Sequence, residues 1–528
     1  MRITFLLLFF FQTFHICLAQ TQEVWSELME FAKDDFYEKI AGEDQNSFYL
    51  LKTREKNKVK EIWLEQFDKK TLKLLNSNKI LVPVGNVASQ TFEDLFVIKN
   101  KLVLFTSEYN PETKVNSAYY QLINSKGENI FKPTLIAEIE SAQLKNSGNY
   151  RIVLSPDSSK FLISQTAPAK TKTNQTISFK AIDLNLQSIW QKTLQLPLKE
   201  GQSEIEEVIL DEKSNVYFLV KIKTEKLNKQ TETGNNYSLF VYSPTKDELF
   251  EYEIKLPNKF ISSIKLIRQE NKDILVAGFY TESQQKNERV NNASFGYRSY
   301  EELKPNIGGF YFLTVNAQTL QLKNKALKPL PKALLDEFFT QQNNDEKVEL
   351  SSFLLKSLQS DSEGNFYLFA EQYIYELFCS IDPRTGMQTC NDHYYYNDIV
   401  SLKIASNGEI LQSARISKSQ QTINESGFFS SFLVKPGKNR IHFIFNDNPK
   451  NLDNNQPKMK SMSNPKRSVP VVETLFPSGS KNKSILNNLN NEELILRPSV
   501  NYQLSDKSII IFAQKGKNYK FGRLIFDE

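Results

Sequence analysis

One local pattern recurs along this chain and constrains its fold more than any other feature. A polar turn leads into a short, uninterrupted apolar and aromatic run, and another polar stretch follows. Gly42-Glu-Asp-Gln-Asn-Ser precedes Phe48-Tyr-Leu-Leu, Ile98-Lys-Asn-Lys precedes Leu102-Val-Leu-Phe, and Ser155-Pro-Asp-Ser-Ser-Lys precedes Phe161-Leu-Ile. The form returns before Val216-Tyr-Phe-Leu-Val, Ile274-Leu-Val-Ala, Phe366-Tyr-Leu-Phe, Ile441-His-Phe-Ile-Phe and Ser508-Ile-Ile-Ile-Phe, eight instances in all. The first five stand about 55–60 residues apart, and the later gaps are longer because they hold insertions.

Apolar runs of about 4–6 residues without alternation read as strands buried on both faces. Further strands follow within a unit, often with alternation, as in Ile62-Trp-Leu-Glu-Gln-Phe-Asp and Ile177-Ser-Phe-Lys-Ala-Ile-Asp. One unit therefore holds about four short antiparallel strands. Such units at a regular period predict an all-β fold, a β-propeller of eight four-stranded blades, with seven as the alternative. A tandem of sandwiches would need about 100 residues per domain, longer than the period seen. The last unit, Arg497 to Phe526, has room for about three strands. Val24 to Phe31 is expected to supply the missing outer strand, with a short helix as the alternative.

Three segments interrupt the pattern. Thr281 to Ile307 is polar and shows no clear strand. Lys332 to Phe339 predicts a short amphipathic helix, with Leu334, Leu335, Phe338 and Phe339 on one face. Asn446 to Pro470 is rich in Asn, Lys, Ser and Pro and reads as a mobile loop. The polar insertions thus lie near 281–307 and 446–470.

The N-terminus carries Arg2, an apolar run over Phe5 to Phe11, and the small residues of Cys17-Leu-Ala19. This predicts a signal peptide at 1–19, leaving 20–528 as a single propeller domain. A membrane anchor and a lipid-bearing Cys17 are the alternatives. The apolar run falls short of a spanning helix, and Ile16 is too bulky for a lipid-attachment motif. No later run is long enough to span a bilayer. With Arg2 gone the net charge falls from +5 to about +4. Lys residues are scattered among Glu and Asp, with no basic stripe carrying interleaved aromatics, so nucleic acid is not expected.

After cleavage Cys379 and Cys390 are the only cysteines. Export permits a disulfide, and turn-formers Asp382-Pro and Thr385-Gly between them predict a bridge across a hairpin. Two buried free thiols are the alternative. Closing a loop of that size is worth on the order of 3 kcal/mol.

Chemistry is harder to find. Three His and three Cys in the whole chain argue against zinc, haem and iron–sulfur centres. His393 follows Asp392 but lacks a nucleophile on an exposed turn, and His442 sits inside an apolar run. Asp44, Asp157, Asp211 and Asp361 recur in the turns, where side chains that bond their own backbone explain them. Asn446-Asp-Asn with Asn451 and Asp453 is rich in oxygen but lacks the spacing of a calcium loop. No phosphate-cradling or dinucleotide motif occurs. No catalytic residue, cofactor or metal is assigned. Tyr394, Tyr395 and Tyr396 are the candidate partner contacts, since exposed aromatics anchor proteins and stack on sugars.

The chain resembles secreted or periplasmic β-propeller-like proteins of Gram-negative bacteria with no assigned function. Gly42-Glu-Asp-Gln-Asn-Ser-Phe-Tyr-Leu-Leu, Ser155-Pro-Asp-Ser-Ser-Lys and Ile444-Phe-Asn-Asp-Asn carry the resemblance, with the leader ending Leu-Ala-Gln. It covers most of the mature chain, is architectural, and transfers no site. It implies export to the periplasm or the outer membrane. The expected role is a non-enzymatic, monomeric scaffold that presents loops to a cell-envelope protein. The alternative is a glycan-binding or carbohydrate-active propeller with a central pocket.

Overall fold

A computed structural model describes residues 22–526, apart from 33–34, 57–58, 81–89, 142, 169–173, 200, 224–234, 283–296, 304–305, 340–348, 383, 454–457, 487–488 and 490–493. The expected leader at 1–19 lies outside the described residues.

The strands pair into eight antiparallel sheets, and each sheet is built on four strands met in chain order. Blade 1 consists of Asp35–Glu43, Ser47–Lys56, Val59–Asp68 and Leu74–Lys79. Blades 2, 3 and 4 open with Gln90–Ile98, Asn149–Leu154 and Ser203–Leu210. Blades 5, 6 and 7 open with Phe260–Arg268, Phe353–Ser360 and Leu433–Pro436. Blade 8 takes Ile495–Gln503, Ile509–Lys515 and Asn518–Ile525 from the end of the chain and Gln22–Trp25 from its start. The eight-bladed propeller is thus the fold, and the segment around Val24 closes it as a strand.

Burial explains why the apolar runs do not alternate. Ile274–Thr281 and Gly309–Val315, the middle strands of blade 5, are buried at every position. Each middle strand lies between two neighbouring blades, so both of its faces are dry. Outer strands have one wet face, and Leu322–Pro329 accordingly alternates between exposed and half-buried. Eight of the core clusters lie one between each pair of adjacent blades, and a small ninth holds Leu489, Leu494 and Ala513. The cluster between blades 8 and 1 is aromatic, with Phe48, Phe67, Phe512 and Phe521 packed within 4.8–5.5 Å of one another at several ring contacts.

Turns divide the two faces of the ring. One face carries the tight turns between the first and second strands, and here the recurrent acids do structural work. Asp211 accepts from the amides of Lys213 and Asn215, from the Asn215 side chain and from the Tyr217 hydroxyl. Asp361 repeats this with Glu363, Asn365 and Tyr367. Asp44 takes the amides of Asn46 and Ser47 and the Tyr49 hydroxyl. Asp157 accepts from Ser155 and Ser159. The opposite face carries the connections that hold 281–307 and 446–470.

Two expectations for those connections need correction. The polar insertion at 281–307 does contain a strand, Tyr297–Leu303, which pairs with Phe366–Ile381 of blade 6. The described part of 446–470 is pinned, because Asn451 bonds Asp447 and the Lys460 carbonyl, and Asn448 bonds the Ser461 carbonyl. Asn446 and Asp447 are fully buried there. The short helix runs over Lys332–Asp336, at the start of the segment that predicted it.

Candidate functional site

The long-loop face has one outgrowth. The second and third strands of blade 6, Phe366–Ile381 and Gln388–Ile404, are 16 and 17 residues long. Second strands elsewhere in the ring have 7 to 10. The surplus length carries this hairpin past the blade as an arm. Tyr297–Leu303 pairs with one of its edges, and Gln420–Ile423 pairs with the other at His393 to Tyr396. Strand edges left bare invite other chains, and here both are covered.

Register sets what each face of the arm shows. Tyr373 lies opposite Tyr396, Tyr375 opposite Tyr394, Leu377 opposite Asp392, and Cys379 opposite Cys390. These residues share one face. Ile374, Glu376 and Phe378 share the other with Tyr395, His393 and Asn391. Cys379 and Cys390 form the expected disulfide across the hairpin, near its tip. The tip turn is held by Asp382, which accepts from the amides of Arg384 and Thr385, and those bonds keep its carboxyl below the usual carboxylate range.

The three candidate tyrosines all fall on this arm, and all three are half-buried. Tyr394 packs on Tyr375 with ring centroids 5.3 Å apart, and Tyr396 packs on Tyr373 at 4.9 Å. The Tyr395 hydroxyl donates to Glu376 at 3.0 Å. Tyr375 donates to Asp392 at 2.6 Å, and that bond, with some burial, pushes its phenol up to about 12. His393 stands opposite Glu376 with its ring 6.3 Å from that of Phe378.

The apolar side chains that do face water lie elsewhere on the arm, on both of its faces, and sequence reasoning missed them. Phe378 is 40% exposed, Ile381 37% and Met387 67%, all at the pinned end. Ile423, 49% exposed, lies on the Phe378 face through its pairing with His393. Their signal was the length of the strand-forming run after Phe366, 16 residues against 7 to 10 in its counterparts.

The base of the arm is tied to the ring by charge. Glu371 and Lys418 are both buried, and Lys418 also donates to the Tyr396 carbonyl at 2.7 Å. The segment after Gln420–Ile423 bonds the arm again. Asn424 accepts from the Asp392 amide and donates to the Asn391 side chain, at 2.8 and 2.9 Å. Gly427, at φ +67°, lies so close beneath Tyr396 that a Cβ there would sit 2.3 Å from the phenolic oxygen.

His442 is buried between blades 7 and 8, stacked on Phe526 at 4.4 Å and bonded to Thr474 at 2.9 Å. The oxygen-rich cluster after Asn446 is internally bonded, with Asp447 held by Asn451 and by Lys483 at 2.9 Å. Among the described residues, no group of three or more His, Cys, Asp or Glu side chains is placed to hold a metal ion. Among the described residues no helix is long and apolar enough to cross a membrane.

No family model matches the sequence, and no curated protein matches it. Solved structures similar to it include a polysaccharide lyase at 9% identity and a TM-score of 0.34, covering 90% of this chain and 88% of that one. An ulvan lyase follows at 8% and 0.38, covering 94% and 95%. The WD40 domain of SCAP from fission yeast gives 10% and 0.36, covering 96% and 98%. These likenesses transfer no site.

Proposed function

We propose that this protein is a non-enzymatic binding scaffold, exported to the cell envelope after loss of residues 1–19, that docks a protein partner on the arm of blade 6. The observation that carries this reading is the set of exposed apolar side chains around the disulfide-pinned end, Phe378 on one face of the hairpin, Ile381 on the other and Met387 beside the turn. Single exposed apolar residues are ordinary; three at the end of one projection, on both of its faces, support a partner that grips the tip. Tyr394, Tyr395 and Tyr396 act in this reading as the stiffening layer behind the contact. The disulfide suits an oxidising compartment.

The test is a photo-cross-linking residue placed at Met387 in the full chain, in cells. It is expected to capture one protein reproducibly. The same residue at Ile130, exposed on blade 2 near the tight-turn face, is expected to capture none. Phe378→Ser with Ile381→Ser should abolish the product. Equal products from both positions, or none from a folded sample, would refute the arm as a docking site. Binding to a glycan array that survives the double variant would favour the carbohydrate reading instead.

A further inference from the structure

A second site lies on the same face, at the seam where blade 8 meets blade 1. A cavity of about 280 Å³ opens there, and it draws its walls from three separate parts of the chain. Phe36 and Tyr37 come from the first strand of blade 1, Arg497 from the first strand of blade 8, and Phe428 from the connection that passes under the arm. Taking about 30 Å³ per water, the space equals about nine water molecules. That suits a small molecule.

The charges around it are unevenly satisfied. Asp35 also lines the cavity, but its carboxylate is fully engaged. Arg54 bonds both of its oxygens, at 2.6 and 3.2 Å, and Lys52 lies 3.0 Å away. Arg497 is in the opposite condition. Its guanidinium lies 3.6 Å from the centre of the Phe428 ring. One nitrogen donates to the neutral Gln514 side chain at 3.2 Å. Its Nε is buried without a partner, and no carboxylate pairs with it among the described residues. Burial alone pulls its pKa down to about 10, which still leaves it protonated at neutral pH. Lys517 adds a second cation at the rim.

A guanidinium presents five donors in a planar fork that matches a carboxylate, and its attraction to an aromatic face replaces only part of its lost hydration. The other wall supplies a complementary surface. Phe36 is 61% exposed, the only aromatic side chain of the cavity wall left so open. A flat apolar body placed in the cavity would cover it.

We propose that this cavity binds a small aromatic carboxylic acid, whose carboxylate pairs with Arg497 and whose ring is received by the aromatic walls at Phe36 and Phe428. The assignment is independent of the arm, since none of the exposed residues at the arm's tip lines the cavity. Charge and volume together fix the class. A neutral ring would leave Arg497 unpaired, and a bare anion would leave Phe36 in water.

The test is calorimetric titration of the full chain with benzoate, phenylacetate, benzamide and acetate. One of the two aromatic acids is expected to bind at least about tenfold more tightly than benzamide, which has the ring without the charge. Acetate, with the charge and no ring, should be similarly weak. Arg497→Met should abolish the preference for acid over amide. Phe36→Ala, at an exposed position that the fold does not need, should weaken the acid several-fold even if the Arg497 variant fails to fold. Equal affinity for benzoate and benzamide, no binding by either acid, or unchanged binding in the folded variants would overturn the assignment.

Discussion

Lys418 Nζ lies 2.8 Å from Glu371 Oε1, and both side chains are shut away from water where the arm leaves blade 6. Removing Lys418 leaves buried Glu371 with only the more distant Lys356, at 3.6 Å, and the Ser431 hydroxyl, at 2.7 Å, a loss of up to about 3–5 kcal/mol. Lys418→Met is therefore expected to lower the unfolding free energy measured in urea by that amount. Lys418→Met with Glu371→Leu should recover much of the loss, since replacing both charges by apolar groups removes the stranded one. A double variant as unstable as the single one would show that packing, not charge, is what Lys418 supplies.

The disulfide lies within the arm and outside the ring. Opening it by Cys379→Ser with Cys390→Ser should cost up to about 3 kcal/mol, felt only where the hairpin opens. Hydrogen exchange is expected to quicken over residues 373–396 and stay unchanged in the middle strands of blades 2 to 5. Partner capture through Met387 should fall with it.

Gly427 lies beneath Tyr396 of the arm and directly precedes Phe428 of the cavity beside Arg497. Its φ of +67° disfavours a side chain by about 1–2 kcal/mol, and a Cβ would also strike Tyr396. Gly427→Ala is expected to move the neighbouring Phe428 away from Arg497. Affinity for the aromatic acid should drop, while blades 2 to 5 keep their exchange protection. An alanine variant that binds as before would show that Phe428 is held by other contacts.

His442 sets a pH dependence. Burial, then the nearby Arg440 and Lys435, lower its pKa to about 4, against an ordinary value of 6.5. Between those values the unfolded chain binds the proton and the folded one does not. The stability this group contributes is complete above about pH 6.5 and is lost as the pH falls toward 4. The ring is only 5% exposed, so the full span is worth up to about 3 kcal/mol. Urea midpoints measured from pH 7 to pH 4 should fall more steeply for the natural chain than for His442→Gln. Parallel curves would mean that His442 titrates normally.

The ring was legible in the sequence because of its burial pattern. Phe48, Val216 and Ile274 begin runs that are apolar at every position, since a middle strand meets a neighbouring blade on each side. The acids of the turns were legible too, because Asp211 and Asp361 stand at the same offset from an Asn and a Tyr. The arm was legible only as a hairpin with a disulfide. Tyr297–Leu303 and Gln420–Ile423 are short and polar, and they become strands because a longer neighbour offers them an edge. Nothing in Leu496-Arg497-Pro498 says that this arginine lacks an acid. That fact depends on Asp35, some 460 residues earlier, being held by Arg54 and Lys52.

The pairing of Gln22 with Ile525 and of Trp25 with Gly522 has a consequence for how the molecule is made. The last blade waits for a strand synthesised first, so the seam is sealed only when the whole chain is present. Until then blade 8 offers a bare edge along Asn518–Ile525, and the loose segment around Trp25 is its matching strand. Two unfinished or clipped copies could satisfy each other in place of themselves. Sealing speed therefore decides between one ring and linked rings, and the cavity beside Arg497, which straddles the seam, exists only in the sealed form.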